Sequence, residues 1–279
     1  MSLYSIKRKT LSPIEASILE MLSPLATAIT NDLDIIKWAS PVPYFGNPAT
    51  SNIATVGLNP SNREFVDING HELSSTYRRF HTLSSLQIES WSEATPNHIN
   101  LIKDSCTEYF FRNPYDGWFK PLDKIISGTN SSFYSSLFHA SHLDLIPFAT
   151  SKKWAKLTNV QRQKLLYISN ELLGKTIKHS AVKLLILNGS TVVEAFSTMT
   201  NVKFDKRPLE AWNLPRKNGR PILGISYRGV ISKISGIDLG RSITVIGYNH
   251  NIQSSFGVTS LVRQEIQTWI TEIAREINV

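Results

Sequence analysis

The sequence predicts an α/β protein, a three-layer α/β/α sandwich around a central, mostly parallel four-stranded sheet. Two short apolar runs, residues 53–56 and 243–246, are each followed by turn-forming residues. Such runs are typical of strands that are covered on both faces of a parallel sheet. Between them, strand-like and helix-like segments alternate, which is the order expected of a layered α/β fold.

Each element has its own signal. Ser12, Pro13 and Glu15 are typical of a helix start, as N-cap, first residue and third residue. That helix is expected to run to about residue 30, with Pro24 as a candidate break. The other expected helices cover residues 98–112, 118–127, 159–178, 191–199 (capped by Ser190) and 259–277.

The expected parallel strands cover residues 53–58, 142–147, 182–187 and 243–247, and a further short strand covers 222–226. Residues 59–76 and 200–221 are expected to be irregular, because they are polar or contain proline. Neither a repeat nor a domain boundary is evident. One domain over residues 1–279 is therefore expected, with a helical extension at about 1–50.

Composition narrows the classes of function. The net charge of +8 favours a polyanionic partner such as DNA, although it is also compatible with a charge that only maintains solubility. The single cysteine, Cys106, excludes a disulfide framework and a cysteine-based metal site. No metal-binding or nucleotide-binding motif is present, so neither a metal nor a cofactor is expected. With no secretory signal or apolar span at hand, we expect a cytoplasmic protein with no membrane or obligate protein partner.

Two loops follow the predicted strands at positions where α/β sheets bind ligands. The first reads Gly57-Leu58-Asn59-Pro60-Ser61, and the second reads Asn249-His250-Asn251-Ile252-Gln253-Ser254. Ligands bind beyond the carboxyl ends of parallel strands, so Asn59 and His250 are expected to face one cleft. The alternatives are that Asn59 only forms an Asx turn and that His250 is an ordinary strand-end histidine.

These loops resemble motifs of the uracil-DNA glycosylase superfamily. The first is similar to the Gly-x-Asn-Pro-Gly loop of its mismatch-specific and single-strand-selective branches. The second lies where the family carries His-Pro-Ser-Pro, although both prolines and the first serine are replaced. His142-Leu143-Asp144-Leu145-Ile146-Pro147 resembles the strand that carries the family's base-reading Asn, here Asp144. The three motifs together cover roughly residues 50–260.

The resemblance implies a monofunctional DNA glycosylase that flips out a base and cleaves its bond to deoxyribose. Asn59 would orient the attacking water, and His250 would donate a hydrogen bond to O2 of the departing base. Glu64 or Asp67 could add a carboxylate for the water, but each could equally be a solvated loop acid. Gly57, Leu58 and Phe65 would line the substrate, unless Phe65 fills the core beneath the loop.

Two residues bear on the identity of the base. Uracil-specific enzymes of the family place a tyrosine at the position of Ser61, and a small residue there leaves room beside C5. Asp144 can accept from the N4 amine of cytosine, and burial would favour a protonated form that donates to N3. These residues favour a 5-substituted cytosine, such as the hydroxymethylated or glucosylated base of phage DNA, and hence an anti-phage role. The alternative for Asp144 is a cap or structural ion pair.

Basic segments supply the candidate contacts to double- or single-stranded DNA. Residues 203–228 contain seven Lys or Arg and two acids, although an ordinary exposed loop would look the same. The candidates that contact DNA are Lys152, Lys153, Arg216, Lys217, Arg220, Asn251, Ile252, Ser254 and Phe256, with Ile252 and Phe256 as possible wedges. Competing hypotheses are a weak or inactive DNA-binding member of the fold, a uracil or mismatch repair glycosylase, and a small-molecule hydrolase or transferase.

Overall fold

The computed structural model describes residues 11–216, 218–253 and 257–279. Its centre is a mixed sheet of six strands in the order β2-β1-β3-β6-β5-β4. Strands β2, β1, β3 and β6 run parallel, and β5 and β4 continue the sheet in antiparallel pairing. The strands are β1 (Ile53–Gly57), β2 (Ala140–Asp144), β3 (Leu184–Asn188), β4 (Asp205–Pro208), β5 (Ile225–Ile234) and β6 (Ile237–Tyr248).

The α/β class is confirmed, and the predicted strand number of four is corrected to six. The additional width comes from a hairpin. Its turn, Ser235 and Gly236, has positive φ at both residues, which matches the twist of antiparallel strands. β5 is ten residues long, and it pairs with β4 inside the segment that was expected to be irregular.

The sequence does not predict the β5–β6 hairpin, because its strands are only half-buried. The first part of β6 alternates between buried and exposed side chains, whereas its last four residues are all buried. Only the latter part forms a continuous apolar run, which is the signal of a central parallel strand. β1, β2 and β3 are buried along their whole length, as expected of that class.

The residues described form seven α-helices. They are α1 (Pro13–Leu25), α2 (Leu83–Leu86), α3 (Pro96–Thr107), α4 (Asp116–Ile126), α5 (Asn159–Lys178), α6 (Ser190–Thr200) and α7 (Ser260–Glu276). α5 and α6 contact the strands, and α4 and α7 contact each other. None of the helices in the described ranges combines the length and the apolar character needed to span a membrane.

Of the two helix caps predicted from the sequence, one is confirmed and one is wrong. Ser12 and Glu15 form the expected capping box, and α1 ends directly after Pro24. The predicted N-cap Ser190 is wrong. Ser190 is the first residue of α6, and the N-cap is Gly189, whose φ of 100° suits a residue without a Cβ atom.

The register of the parallel strands aligns their last residues. Gly57 lies beside Asp144, and Asn188 lies beside Tyr248. Side chains at paired positions of parallel strands point to the same face, so these strand ends form one row at the carboxyl edge of the sheet. The loops that carry Asn59 and His250 leave the sheet from this row.

Candidate active site

Asn59 links the loop after β1 to the loop after β2. Its amide nitrogen donates to the carbonyl oxygens of Pro60 (3.2 Å) and Phe148 (3.3 Å) and to Oγ1 of Thr150 (3.1 Å). No residue in the described part of the chain donates a hydrogen bond to its Oδ1. The side chain is therefore held through its donor end and keeps an acceptor that can orient a water molecule.

His250 is buried, with 2% of its surface exposed, and its Nε2 lies 2.7 Å from the carbonyl oxygen of Trp212. A carbonyl oxygen only accepts, so Nε2 carries the proton of the imidazole. Burial lowers the pKa of His250, and the hydrogen bond to Trp212 opposes that effect. The imidazole is therefore neutral at pH 7, with its donor engaged by the backbone.

Asn59 and His250 lie at the same end of the sheet, but no hydrogen bond joins them. β3 separates the two strands that carry them, which corresponds to a spacing of about 10 Å between those strands. Asn59 is bonded to the β2 side of the sheet, and His250 is bonded to a segment that leads into β5. The structure thus places both groups at one edge without pairing them.

A buried polar group lies at the ends of β1 and β2. His142 and Asp144 are 2% and 6% exposed. Nε2 of His142 lies 3.3 Å from Oδ1 of Asp144, and its Nδ1 is hydrogen-bonded to Oγ1 of Thr55 at 2.7 Å. Asp144 therefore takes part in a buried carboxyl–imidazole contact, which was one of the alternatives considered from the sequence.

Glu64 is buried as well, with 3% of its surface exposed. Its Oε2 accepts a hydrogen bond from the hydroxyl of Tyr109 (2.7 Å) and lies 3.8 Å from Nε of Arg79. Burial raises the pKa of Glu64 to about 7, against the Tyr109 hydrogen bond and the Arg79 charge, and the charge of Asp144 adds to the rise. The interpretation of Glu64 as a solvated loop acid is wrong, because the aromatic side chains around it exclude water.

Asp67 is the solvated acid of this loop. Its carboxylate accepts from the backbone N–H groups of Asn69 (2.8 Å) and His71 (2.9 Å), which closes a surface turn. The backbone hydrogen bond from His71 is the main cause that lowers the pKa of Asp67. Of the two acids proposed to assist the water, only Glu64 combines burial with a proton that exchanges near neutral pH.

Phe65 fills the core. It is 2% exposed and packs edge-on against Trp38 and at an angle against Phe80. Ser61 is exposed, and its hydroxyl accepts from the backbone N–H of Arg63 (3.2 Å). Ser61 thereby caps the 3₁₀ turn that carries Glu64.

Asn188, at the end of β3, is a site residue that the sequence reading missed. Its Nδ2 donates to Oε1 of Gln253 (2.7 Å), and its Oδ1 accepts from the backbone N–H of Ile252 (3.1 Å). Gln253 in turn donates to the carbonyl of Trp118 in α4 (3.1 Å). A polar residue directly after four apolar strand residues was the available signal, because a buried amide needs partners.

The loop that Asn188 holds corrects one expectation. Ile252 is 1% exposed and packs in the core, so it is not a wedge side chain in this arrangement. Asn251 donates to the carbonyl of Asn188 at 3.4 Å, which also fixes the loop. Ser254 and Phe256 lie outside the described residues.

The basic residues among the candidate DNA contacts lie at the surface where they are described. Lys153, Arg216 and Arg220 are exposed and form no ion pair with a described residue. Lys152 is exposed but pairs with Asp34 (3.1 Å). Lys217 lies outside the described residues.

Two cavities lie elsewhere in the molecule. One of about 470 Å³ is lined by Trp38 and Trp91, and one of about 140 Å³ is lined by Phe110 and His139. Neither is lined by Asn59, Asp144 or His250.

Comparison with known proteins does not assign the chain to a family. A scan against models of protein families found no match, and a search of curated proteins found none with significant similarity. The fold and site define an α/β protein with a buried acid–imidazole group at the carboxyl edge of its parallel strands.

Proposed function

We propose that this protein is a monofunctional DNA glycosylase that excises a modified pyrimidine and leaves an abasic site. The proposed substrate is a 5-substituted cytosine of phage DNA, either hydroxymethylated or glucosylated. The observation that carries the proposal is that Asp144 and Glu64 are buried and interact electrostatically, and that Asp144 ends β2 opposite Gly57, two residues before Asn59. Parallel α/β sheets bind ligands at this edge. Burial raises the pKa of Glu64, and groups with perturbed pKa values are concentrated at functional sites.

The order of the parallel strands supports the superfamily resemblance. Asn59 in the loop after β1, Asp144 at the end of β2 and His250 in the loop after β6 lie at one edge of the sheet, which is the arrangement that the resemblance implies. The crossovers from β1 to β2 and from β2 to β3 run in opposite directions along the sheet. Right-handed crossovers of this kind place their helices on opposite faces, which supports a three-layer α/β/α arrangement.

The proposed reaction uses Asn59 and Glu64 on the water and Asp144 on the base. Oδ1 of Asn59 accepts a hydrogen bond from the water and orients it toward C1′ of the sugar. Glu64, with its pKa raised to about 7, can take a proton from that water near neutral pH. A carboxyl oxygen of Asp144 accepts from the N4 amine of a cytosine-type base, which uracil lacks.

His250 has to change partner before it can act on the base. Its Nε2–H points at the Trp212 carbonyl, so donation to O2 of the base requires that this hydrogen bond be exchanged. Trp212 also packs edge-on against Trp269 of α7 at 5.3 Å. DNA that displaces the segment around Trp212 would release the imidazole, and Arg216 and Arg220 lie close to that segment in the chain.

The experiment is base release from phage DNA that carries hydroxymethylated or glucosylated cytosine. Alkali then cleaves abasic sites, and mass spectrometry identifies the released base. We expect cleavage by the native protein and loss of cleavage in Asn59→Ala and His250→Ala, with Asn69→Ala, an exposed amide of the same loop, as the matched control. Native protein that releases no base from any of these DNAs would refute the proposal.

A second candidate is a DNA-binding member of the fold without catalytic activity. The observation that favours it is the engagement of the His250 donor by Trp212, together with the lack of a bond between Asn59 and His250. This candidate predicts salt-dependent DNA binding by the native protein and by both variants, with no abasic sites in any of them.

A further inference from the structure

We propose that His142 and Asp144 act as one proton-carrying pair that protonates the departing base at N3, an inference that rests on the proposed function. Asp144 would touch the base. His142 would act through Asp144 and is therefore a positioning residue. Such a pair would protonate a departing cytosine-type base at neutral pH, in a site where the residue that recognises the base is the carboxylic acid Asp144.

The imidazole ring of His142 packs between aromatic rings, and each of its two nitrogens faces a polar side chain. The ring lies 5.4 Å from the ring of Phe45 and 5.3 Å from that of Phe119, both at steep angles. Among the described residues, the polar partner of its Nδ1 is the hydroxyl of Thr55, and that of its Nε2 is Oδ1 of Asp144. The separation of 3.3 Å between Nε2 and Oδ1 is just above the usual hydrogen-bonding range, so a small approach completes the contact.

Both partners of the imidazole can exchange roles. A threonine hydroxyl either donates or accepts, and a carboxyl group donates when protonated and accepts when ionised. With Thr55 donating to Nδ1, Nε2–H of a neutral His142 faces the Asp144 carboxylate. With one more proton, the pair is either an imidazolium beside a carboxylate or a neutral imidazole beside a carboxylic acid. The series of contacts from Thr55 through His142 to Asp144 is compatible with each of these protonation states, because only the hydrogen atoms have to change position.

The other oxygen of Asp144 is the one left for the base. No described residue donates a hydrogen bond to Oδ2. When Oδ2 carries the proton, the bond between C1′ and N1 breaks, its electron pair stays on the base, and the Oδ2 proton moves to N3. Nε2–H of His142 then faces the new carboxylate at Oδ1. Water adds at C1′ and loses a proton, and the pair regains one from solvent.

The chemistry of the base explains why a proton is needed. A uracil anion spreads its charge over two carbonyl oxygens. A cytosine anion has an amine in place of the second carbonyl, so it leaves less readily unless N3 is protonated. A proton donor at N3 therefore accelerates the release of a cytosine-type base more than the release of uracil.

Gly57 provides the space that the pair occupies. A Cβ atom at this position would lie 2.4 Å from Oδ1 of Asp144 and 3.0 Å from Nε2 of His142. No real Cβ atom approaches an oxygen that closely, so any side chain here would push the two groups out of register. The glycine of the first loop motif is thus explained by room for the pair rather than by backbone conformation.

Charged groups near the pair act on its proton. Glu64 interacts electrostatically with Asp144 from the loop after β1, and Arg79 and Tyr109 contact Glu64 from the other side. The negative charges of Glu64 and Asp144 repel each other, so full ionisation of both carboxyl groups is disfavoured.

The test compares His142→Gln with the native full-length protein. Glutamine keeps a donor for Asp144 but cannot carry an additional proton. Single-turnover release of modified cytosine from phage DNA is measured from pH 5.5 to 8.5, and DNA affinity is measured separately with an uncleavable 2′-fluoro substrate. We expect excision at pH 7 to fall about 100-fold, the low end of general-acid contributions, with DNA affinity unchanged. The native rate should rise as Glu64 ionises near pH 7 and fall at higher pH as the pair loses its proton, and only the fall at higher pH should disappear in the variant.

Thr55 supplies the second pair of variants, in case His142→Gln does not fold. Thr55→Ser keeps the hydroxyl and should retain the native pH profile, whereas Thr55→Val removes it and should slow excision. A His142→Gln protein with the native rate and profile would overturn the pair but leave the glycosylase proposal intact. If Thr55→Val matches Thr55→Ser in rate and profile, the pair is likewise overturned. Absence of base release by the native protein overturns both proposals.

Discussion

Gly57 and Asp144 are paired residues at the ends of neighbouring parallel strands, and the carboxylate of Asp144 occupies the space where a side chain of residue 57 would lie. A Cβ atom on Gly57 would be 2.4 Å from Oδ1 of Asp144. Because both groups are buried, the crowding cannot be relieved into solvent. The first loop motif and the buried acid are therefore interdependent.

Gly57→Ala tests this interdependence. We expect the variant to lose about 1–3 kcal/mol of unfolding free energy, the usual range for adding a methyl group to a packed core. Urea unfolding measures the change. Gly117→Ala in α4 is the control, because its Cβ would meet Tyr115 at an ordinary 3.5 Å and alanine favours a helix. Equal stability of Gly57→Ala and the native protein would contradict the crowding.

Glu64→Gln tests the buried carboxyl group through the pH dependence of stability. The pKa of Glu64 is raised from 4.5 to about 7 in the folded protein, so the folded state holds a proton that the unfolded state releases. The proton on Glu64 therefore contributes about 3 kcal/mol to the free energy of unfolding below pH 4.5. This contribution is lost as the pH rises from 4.5 to 7. Native protein should lose more stability than Glu64→Gln between pH 5 and pH 8 in urea unfolding.

The surface variant Glu89→Gln is the control for that comparison, since Glu89 is exposed. Its loss of stability between pH 5 and pH 8 should equal that of the native protein. A Glu64→Gln variant that retains the full native pH dependence would show that Glu64 is ionised throughout this range.

Asn188→Ala tests the link between β3 and the loop after β6. The change leaves the backbone N–H of Ile252 and the amide of Gln253 without their partner. The unpaired N–H of the buried Ile252 costs about 1–3 kcal/mol, so a clear loss of unfolding free energy is expected. Hydrogen exchange at the Ile252 amide should accelerate beyond what global unfolding explains. Asn69→Ala, at an exposed position, should change neither quantity.

Arg216→Ala and Arg220→Ala test the DNA surface. Both side chains are exposed and form no ion pair with a described residue. If each contacts a phosphate, each substitution should reduce the slope of log affinity against log salt by about 0.9. Lys233→Ala is the control, because Lys233 is exposed and lies opposite Asp238 in the β5–β6 hairpin, at the other end of β6 from His250. An unchanged slope in both arginine variants would place the DNA surface elsewhere.

Secondary structure was predictable where the signal was local. α5 has the predicted bounds of residues 159–178, and the α1 cap was visible in Ser12 and Glu15. β1, β3 and the end of β6 were visible as apolar runs because they are buried on both faces. β2 begins and ends earlier than the predicted 142–147, because three of its five residues are polar and only its pairing with β1 defines it. β4 was not predicted, since all four of its residues are exposed and only its pairing with β5 makes it a strand.

The residues of the site were partly predictable, but their environments were not. Asn59, Glu64 and Asp144 could be predicted as site residues from their positions in the motifs. The residues next to Glu64 in the sequence do not predict that it is buried. That burial comes from Tyr109, whose hydroxyl bonds Glu64 from 45 positions away in the chain. The motif around Asp144 contains His142, but the sequence predicts no role for it, because its partner Thr55 lies on another strand.

The sequence by itself determined the α/β class, most helix positions and the strand ends at which polar residues collect. These depend on periodicity and on neighbours a few residues apart, which a linear chain displays directly. Only the tertiary structure decided that Glu64 is buried, that His250 donates to Trp212, and that Gly57 makes room for His142 and Asp144. Those properties depend on which distant segments exclude water or supply a hydrogen-bonding partner, and chain order alone does not specify them.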